Sequence, residues 1–280
     1  MTLEQLVASS TKMYSMPDVY FRVKALVDDP DSGMADLARV IGTDPGLTAR
    51  LLKLANSAFF GMSARVETVS AAVHLLGMQQ VHDLVLATSI TQTFAHVSSK
   101  VMDMPRFWRQ SVHCAVLARQ LASACNVLDG ERLFVAGLLH DVGHLLMYQT
   151  IPELAQAARL QAEREGMPLF RVERGLLGFD YAQAGAALMH AWKLPLGLEE
   201  AVELHPEPAR AESFPREVCL VHIAAHLAVE ALRDGQSAGA GEASIDPVVW
   251  EVTGLSPADL VPVQEEAKQQ LAQVAGLIMP

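Results

Sequence analysis

Apolar side chains recur at helical spacing along most of this chain, and the strict alternation typical of strands is nearly absent. The segment after Thr43 shows this most clearly. Asp44 is a favourable N-cap, and Pro45 takes the first helical position, where a missing N–H does no harm. Apolar residues three or four positions apart then form one face, namely Leu47, Leu51, Leu54, Ala55 and Ala58. The pattern predicts a helix here.

The same periodicity predicts further helices joined by short connections. Gly77 ends one of them, because glycine accepts the left-handed conformation that closes many helices. The predicted segments are 69–76, a helix with Val81, Leu84, Val85 and Thr88 on one side, 107–125, 131–140, 151–165, 181–191, 196–204, 215–233 and 256–278. Closely spaced helices form compact bundles, so we expect an all-α fold.

A break in the periodicity at 98–105 divides the helical pattern, and Pro105 restarts it. We therefore predict two tandem helical bundles, with one domain at 1–102 and the other at 103–280. A run of glycine, alanine and serine at 235–241 has the composition of a flexible loop.

Composition indicates a folded protein, since 51% of the 280 residues are hydrophobic and 19% are charged. No apolar run reaches the roughly 18 residues needed to span a bilayer, so we expect no membrane span. The N-terminus lacks the basic start and apolar block of a signal peptide. Three cysteines without metal-type spacing are typical of free thiols in a reducing compartment. We expect a cytoplasmic protein.

The formal net charge of −11 argues against nucleic acid as a partner. Such binding depends largely on Lys and Arg side chains that neutralise phosphates. No cluster of basic residues stands out in the sequence to reverse that expectation.

The segment from Leu138 to Leu146 contains the most informative motif, an adjacent His140-Asp141 pair at the end of a predicted apolar helix. Imidazole and carboxylate both bind divalent transition metals. His113, His144 and His205 are further candidate ligands, because helices of a bundle can bring together residues far apart in sequence. Gly143 places the pair at a helix end or in the turn that follows.

The residues around this pair resemble the HDOD (HD-related output domain) branch of the HD superfamily, and the resemblance covers nearly the whole chain. The matching strings are Met16-Pro17, the run from Ile41 to Leu47, the run from Leu52 to Gly61, Ala72 to Gly77, Phe107 to Arg109, the His-Asp segment, Gly185 to Leu188, Trp192 to Pro195 and His205 to Pro208. The resemblance implies an all-helical regulatory module of bacterial signal transduction, usually without demonstrated catalysis.

Aligned with catalytic HD enzymes, the chain keeps three of the expected metal ligands, His140, Asp141 and His205. The other expected ligand positions carry residues that bind metals poorly or not at all, namely Gln110, Tyr181 and Ala225. His113 lies one helical turn from Gln110 and is an alternative that the alignment disfavours. His144 stands where cyclic-di-GMP phosphodiesterases of the HD-GYP type carry a lysine, and no Gly-Tyr-Pro signature follows His205.

The number of ligands decides between two interpretations. Iron or manganese centres of this type require about six donors, whereas three protein ligands could hold one zinc ion. We predict a degenerate site without metal, cofactor or catalysis, in which Gln110 and Tyr181 join His140, Asp141 and His205 in a buried hydrogen-bonded network. The alternative is a residual metal-dependent phosphohydrolase or phosphodiesterase that uses His140, Asp141 and His205.

Protein binding is the mode of action that we predict, with signalling proteins as partners and a small ligand as a further occupant of the degenerate pocket. Two apolar clusters are candidate partner surfaces, Phe59, Phe60 and Met62 in one, and Met13, Tyr14, Met16 and Tyr20 in the other. Packing in the core is the more ordinary explanation for such residues.

Overall fold

A computed structural model describes residues 1–57, 65–97, 102–128, 130–232 and 244–279. These residues are helical and contain no strand, which confirms the all-α prediction. None of the described helices is long and apolar enough to cross a membrane. The helices are α1 (Leu3–Met13), α2 (Asp18–Asp28), α3 (Met34–Ile41), α4 (Pro45–Ala55), α5 (Val69–Leu76), α6 (Met78–Thr93), α7 (Met104–Ala124), α8 (Gly130–Leu139), α9 (Val142–Thr150), α10 (Pro152–Glu165), α11 (Leu169–Leu177), α12 (Tyr181–Ala191), α13 (Leu196–Leu204), α14 (Pro215–Ala231), α15 (Val248–Thr253) and α16 (Leu260–Ile278).

Local signals in the sequence set several of these boundaries. The Asp44 carboxylate accepts a hydrogen bond from the Leu47 N–H at 2.9 Å, so it caps α4 as predicted. Gly77 follows α5 with a φ of 84°, a conformation that favours glycine. Six helices were not predicted, namely α1, α2, α3, α9, α11 and α15. Of these, α9 continues the apolar run of α8 after a turn at His140 and Asp141.

The contacts divide the chain into two units. The larger unit contains residues 1–13 and 97–267, and the smaller unit contains residues 14–96 and 268–280. This division differs from the predicted domains 1–102 and 103–280 at both ends of the chain. α1 belongs to the larger unit because it packs on α9 and α12, and residues 268–280 belong to the smaller unit. The predicted loop at 235–241 lies outside the described residues.

The smaller unit has its core among α2 to α6. Leu47, Leu51 and Leu54 of α4 are buried there, as their spacing predicted. Met16 and Tyr20 are also buried, which supports core packing for these two residues, whereas Met13, in the larger unit, is 55% exposed. The other candidate surface, Phe59, Phe60 and Met62, lies outside the described residues.

The larger unit is built on α7, which packs against α8 and α14, and on α12, which packs against α9 and α13. Gly137 allows α7 and α8 to approach closely, since a Cβ at this position would lie 2.8 Å from both the Ala115 Cα and the Cys114 carbonyl oxygen. These close helix pairs bring the turn between α8 and α9 towards the ends of α12 and α13.

Candidate functional site

His140 and Asp141 form the turn between α8 and α9, as the position of Gly143 suggested. The two residues are 1% and 8% exposed. Gln110 reaches them from α7, Tyr181 lies at the start of α12, and His205 directly follows α13. Four separate parts of the larger unit therefore contribute to one buried polar cluster.

Gly143 determines how closely α9 approaches the start of α12. A Cβ on this residue would lie 1.8 Å from the Tyr181 carbonyl oxygen and 2.7 Å from the Gly185 nitrogen. A side chain of any size would push the two helices apart. Gly143 is thus needed for the close packing that brings Tyr181 beside the His-Asp turn.

Both buried histidines are held by the backbone. The Nδ1–H of His140 donates to the Gly137 carbonyl at 2.7 Å, and the Nδ1–H of His205 donates to the Val202 carbonyl at 2.8 Å. The ring centroids lie 5.4 Å apart. Because each ring is fixed through Nδ1, each Nε2 is left for the cluster.

The Asp141 carboxylate is the acceptor at one end of the cluster. Its Oδ2 accepts a hydrogen bond from the Gln110 amide at 2.9 Å and lies 3.2 Å from His140 Nε2. Burial opposes charge on His140, but the Asp141 carboxylate and, after it, the Cys114 side chain favour the charge, and together they raise the pKa of His140 well above its usual range. Burial likewise opposes charge on Asp141, yet the His140 charge lowers the pKa of the carboxyl. The pair is therefore an imidazolium and a carboxylate.

Tyr181 and His205 form the other end of the cluster. Their Oη and Nε2 atoms lie 3.2 Å apart. Since His205 already donates through Nδ1, its Nε2 accepts and the phenol donates. Burial, reinforced by the charge of His140, lowers the pKa of His205 to about 3. Burial also raises the pKa of Tyr181 well above 10, so both groups are neutral.

His144 and Glu173 extend the cluster. The His144 ring stacks on the Tyr181 ring, with centroids 4.0 Å apart, and its Nε2 lies 3.6 Å from a Glu173 carboxylate oxygen. Burial opposes charge on His144, but Glu173 raises its pKa overall. Glu173 is 1% exposed and accepts a hydrogen bond from the Tyr181 N–H at 3.0 Å. No motif in the sequence marked Glu173, which lies on an unpredicted helix.

The remaining predicted positions have different surroundings. His113 is buried on α7, but it is the Gln110 side chain that reaches Asp141. Ala225, on α14, offers no ligand atom. His222 of the same helix is buried and donates from Nδ1 to the His205 carbonyl at 2.6 Å, so it fixes the backbone of His205.

The donor set fits a hydrogen-bonded network better than the two-metal centre of catalytic HD enzymes. Asp141 accepts from Gln110, and His205 Nε2 accepts from Tyr181. Within the described ranges, no group of three or more His, Cys, Asp or Glu residues is arranged to hold a metal ion. Gln110 and Tyr181 each donate one of these hydrogen bonds.

Known proteins resemble this chain over most of its length. The HDOD domain family matches residues 13–208. A curated relative is an uncharacterized protein of Treponema pallidum (strain Nichols), 27% identical over 195 residues. The match covers 68% of this chain but only 37% of that relative, so the chain spans little more than a third of its length.

Solved structures share the fold. A "Putative phosphohydrolase" from Shewanella amazonensis SB2B is 26% identical, with 99% of this chain and 97% of that chain covered and a TM-score of 0.75. A "Putative signal transduction protein" from Marinobacter aquaeolei VT8 is also 26% identical, with 94% and 59% covered and a TM-score of 0.69. An HDOD domain protein of unknown function from Geobacter sulfurreducens has a TM-score of 0.74 at 21% identity, with 99% and 98% covered, a likeness of fold alone. The family match, which spans more than half of the sequence, shows that this chain belongs to the HDOD domain family.

Proposed function

We propose that this chain is a non-catalytic regulatory module that acts in the cytoplasm by binding signalling proteins. One observation carries the proposal. Gln110 and Tyr181, which replace expected metal ligands, donate hydrogen bonds to Asp141 and His205. The groups that would bind a metal in a catalytic relative are thereby held as parts of a buried polar core.

The protonation states of these groups support the proposal. A metal binds the lone pair of a neutral imidazole nitrogen, and an imidazolium has none. His140 beside Asp141 is charged, and the lone pair of His205 Nε2 faces the Tyr181 hydroxyl. A metal would have to displace a proton and two hydrogen bonds, with only three protein ligands to compensate.

A regulatory role agrees with the family and with the likeness to a structure described as a signal transduction protein. That protein and the Treponema relative are both longer than the matched region. In both of them the matched region is one part of a longer chain. For this chain we propose that the input comes from partner proteins, with a small ligand as a second input.

A residual phosphohydrolase is the second candidate, and two observations favour it. The similar structure from Shewanella amazonensis has phosphohydrolase in its name. In addition, His140 and His205 both anchor Nδ1 on a carbonyl, the arrangement that commonly orients metal-binding histidines. This candidate requires a bound metal at His140, Asp141 and His205.

Metal content separates the two candidates. Protein purified without tag or chelator is analysed by mass spectrometry beside a His140→Ala variant, and both are assayed with a generic phosphodiester substrate and added manganese. The proposal predicts substoichiometric metal, equal in both proteins, and no hydrolysis above the variant. Near-stoichiometric iron, manganese or zinc that disappears in the variant would establish the phosphohydrolase instead.

A further inference from the structure

The smaller unit contains a groove that is unrelated to the polar cluster. Its volume is about 770 Å³, within the range of sites that hold small organic ligands. One wall is a single face of α4, formed by Ala49, Leu52 and Lys53 and continued by Asn56, which directly follows the helix. Among the described residues, the groove is also lined by Ser57, by the segment 65–67 and, from α16, by Gln273 and Leu277.

Asn56 fixes the segment 65–67 against α4. Its side-chain amide donates to the Val66 carbonyl at 2.7 Å and to the Leu52 carbonyl at 2.7 Å. Its side-chain oxygen accepts from the Val66 N–H, also at 2.7 Å. Val66 is 2% exposed, so its neighbours Arg65 and Glu67 emerge from an anchored backbone. The groove is therefore preorganised, which reduces the entropic cost of binding a ligand.

Two cations line this groove, Lys53 from α4 and Arg65 from the segment 65–67. Among the residues that the structure describes, no ion pair joins either of them to a carboxylate. Among the described lining residues, Glu67 is the third that carries a charge, and it is not paired with either cation. The lining thus carries an excess of positive charge.

That excess is unusual for this chain. By sequence, the smaller unit has seven Lys and Arg against eight Asp and Glu, a net charge of −1. The larger unit has fourteen against 24, a net charge of −10, and the two values add to the −11 of the whole chain. Nearly all of the acidic excess lies in the larger unit, so the smaller unit is the part that an anion can approach without strong repulsion.

We propose that this groove binds a small phosphorylated ligand of nucleotide size. Lys53 and Arg65 would bind the phosphates, since Arg and Lys are the usual phosphate ligands. The aliphatic side chains of Leu52 and Leu277 offer a surface for the apolar body of the ligand. The Gln273 amide and the Glu67 carboxylate are available for its polar edge. The site lies in the smaller unit, so it stands or falls independently of the role proposed for the His140 cluster.

Calorimetric titration of the full chain tests the site with three probes: ATP, adenosine and inorganic tripolyphosphate. We expect saturable binding of ATP, weaker binding of tripolyphosphate and no binding of adenosine. Lys53→Gln and Arg65→Gln should each weaken ATP binding about tenfold, the usual consequence of losing one charge-assisted hydrogen bond. Higher ionic strength should also weaken ATP binding by the unmodified chain.

Two control variants make the outcome specific. Arg22→Gln removes an exposed charge of the same unit outside the groove and should leave ATP affinity unchanged. Tyr181→Phe alters the His140 cluster and should also leave it unchanged. The proposal is overturned by absent ATP and tripolyphosphate binding, by adenosine binding as tightly as ATP, or by equal losses in Arg65→Gln and Arg22→Gln. Loss of ATP binding in Tyr181→Phe would locate the binding site at the His140 cluster and would also overturn the proposal.

Discussion

His140, in the turn between α8 and α9, and His205, at the end of α13, show how surroundings decide the charge of a buried imidazole. Each donates Nδ1–H to the carbonyl of the residue three positions earlier, and each is at most 3% exposed. Yet the pKa of His140 is raised, whereas that of His205 falls to about 3. The neighbour of Nε2 differs, a carboxylate in one case and a phenol in the other. The Asp141 carboxylate favours the charge on His140, whereas burial and the charge of His140 oppose a charge on His205.

Gly143→Ala should disrupt the surroundings of both histidines, because both ends of the cluster depend on the contact between α9 and α12. The new methyl carbon would overlap the Tyr181 carbonyl oxygen at 1.8 Å. We expect a loss of about 3 kcal/mol or more in the free energy of unfolding. Denaturant unfolding followed by circular dichroism measures it. Gly175→Ala on α11 is the matched control, since nothing lies within 4 Å of its Cβ, and it should gain about 0.5–1 kcal/mol. Equal stabilities for the two variants would contradict the packing role of Gly143.

Asp141→Ala should act most directly on the charged end of the cluster, formed by His140 and Asp141. It leaves the His140 imidazolium and the Gln110 amide without their acceptor. Removing one partner of a buried ion pair costs about 3 kcal/mol, so the melting temperature should fall clearly. Asp141→Asn keeps an oxygen for Gln110 and should lose less. An unchanged melting temperature for Asp141→Ala would show that the pair does not stabilise the fold.

The contribution of the His140–Asp141 pair to the free energy of unfolding should depend on pH and be largest over an intermediate pH range. The lowered pKa of Asp141 contributes stability above the unfolded value of about 3.9, and this is lost as the pH falls through the folded pKa. The raised pKa of His140 contributes stability that is complete below about 6.5 and is lost as the pH rises through the folded pKa. The contribution of the pair is therefore largest between about pH 4 and 6.5, and its difference from Asp141→Ala should peak there.

His205 makes the opposite contribution on acidification. Its folded pKa of about 3 lies below the unfolded value, so the unfolded chain binds the proton first as the pH falls from about 6.5. As the pH falls, the proton uptake of His205 should lower the free energy of unfolding by about 1.4 kcal/mol per pH unit. His222, with a pKa of about 4, should lower the free energy of unfolding further until the pH reaches that value. His205→Gln should reduce the slope of unfolding free energy against pH. A slope unchanged by the substitution would place the proton uptake elsewhere.

Tyr181→Phe should have the smallest effect. It removes the hydroxyl that donates to His205 Nε2 but keeps the ring that stacks on His144. The loss of one neutral hydrogen bond costs about 1 kcal/mol. Thermal unfolding beside the wild-type chain measures it. A loss of stability as large as that of Asp141→Ala would mean that the Tyr181–His205 hydrogen bond stabilises the fold as much as the His140–Asp141 pair does.

Local rules of sequence explain much of the fold. The capping of α4 by Asp44 and the bounds of α12 and α13 follow from residues adjacent in the chain. The involvement of Gln110 and Tyr181 came from comparing residue types at family positions. Glu173 gave no such signal, because its contact with His144 depends on how α11 packs. The opposite charges of His140 and His205 were equally hidden, since both are histidines at helix ends and only the packed neighbours differ.

The central claim is that the cluster is a hydrogen-bonded core with one charged and one neutral histidine. Nitrogen NMR of the imidazole rings at pH 7, with and without added zinc, tests it directly. The account predicts that His140 carries protons on both ring nitrogens, that His205 carries one on Nδ1, and that zinc changes neither. A neutral His140, or zinc-induced shifts of both Nε2 signals together, would contradict it and indicate a metal site.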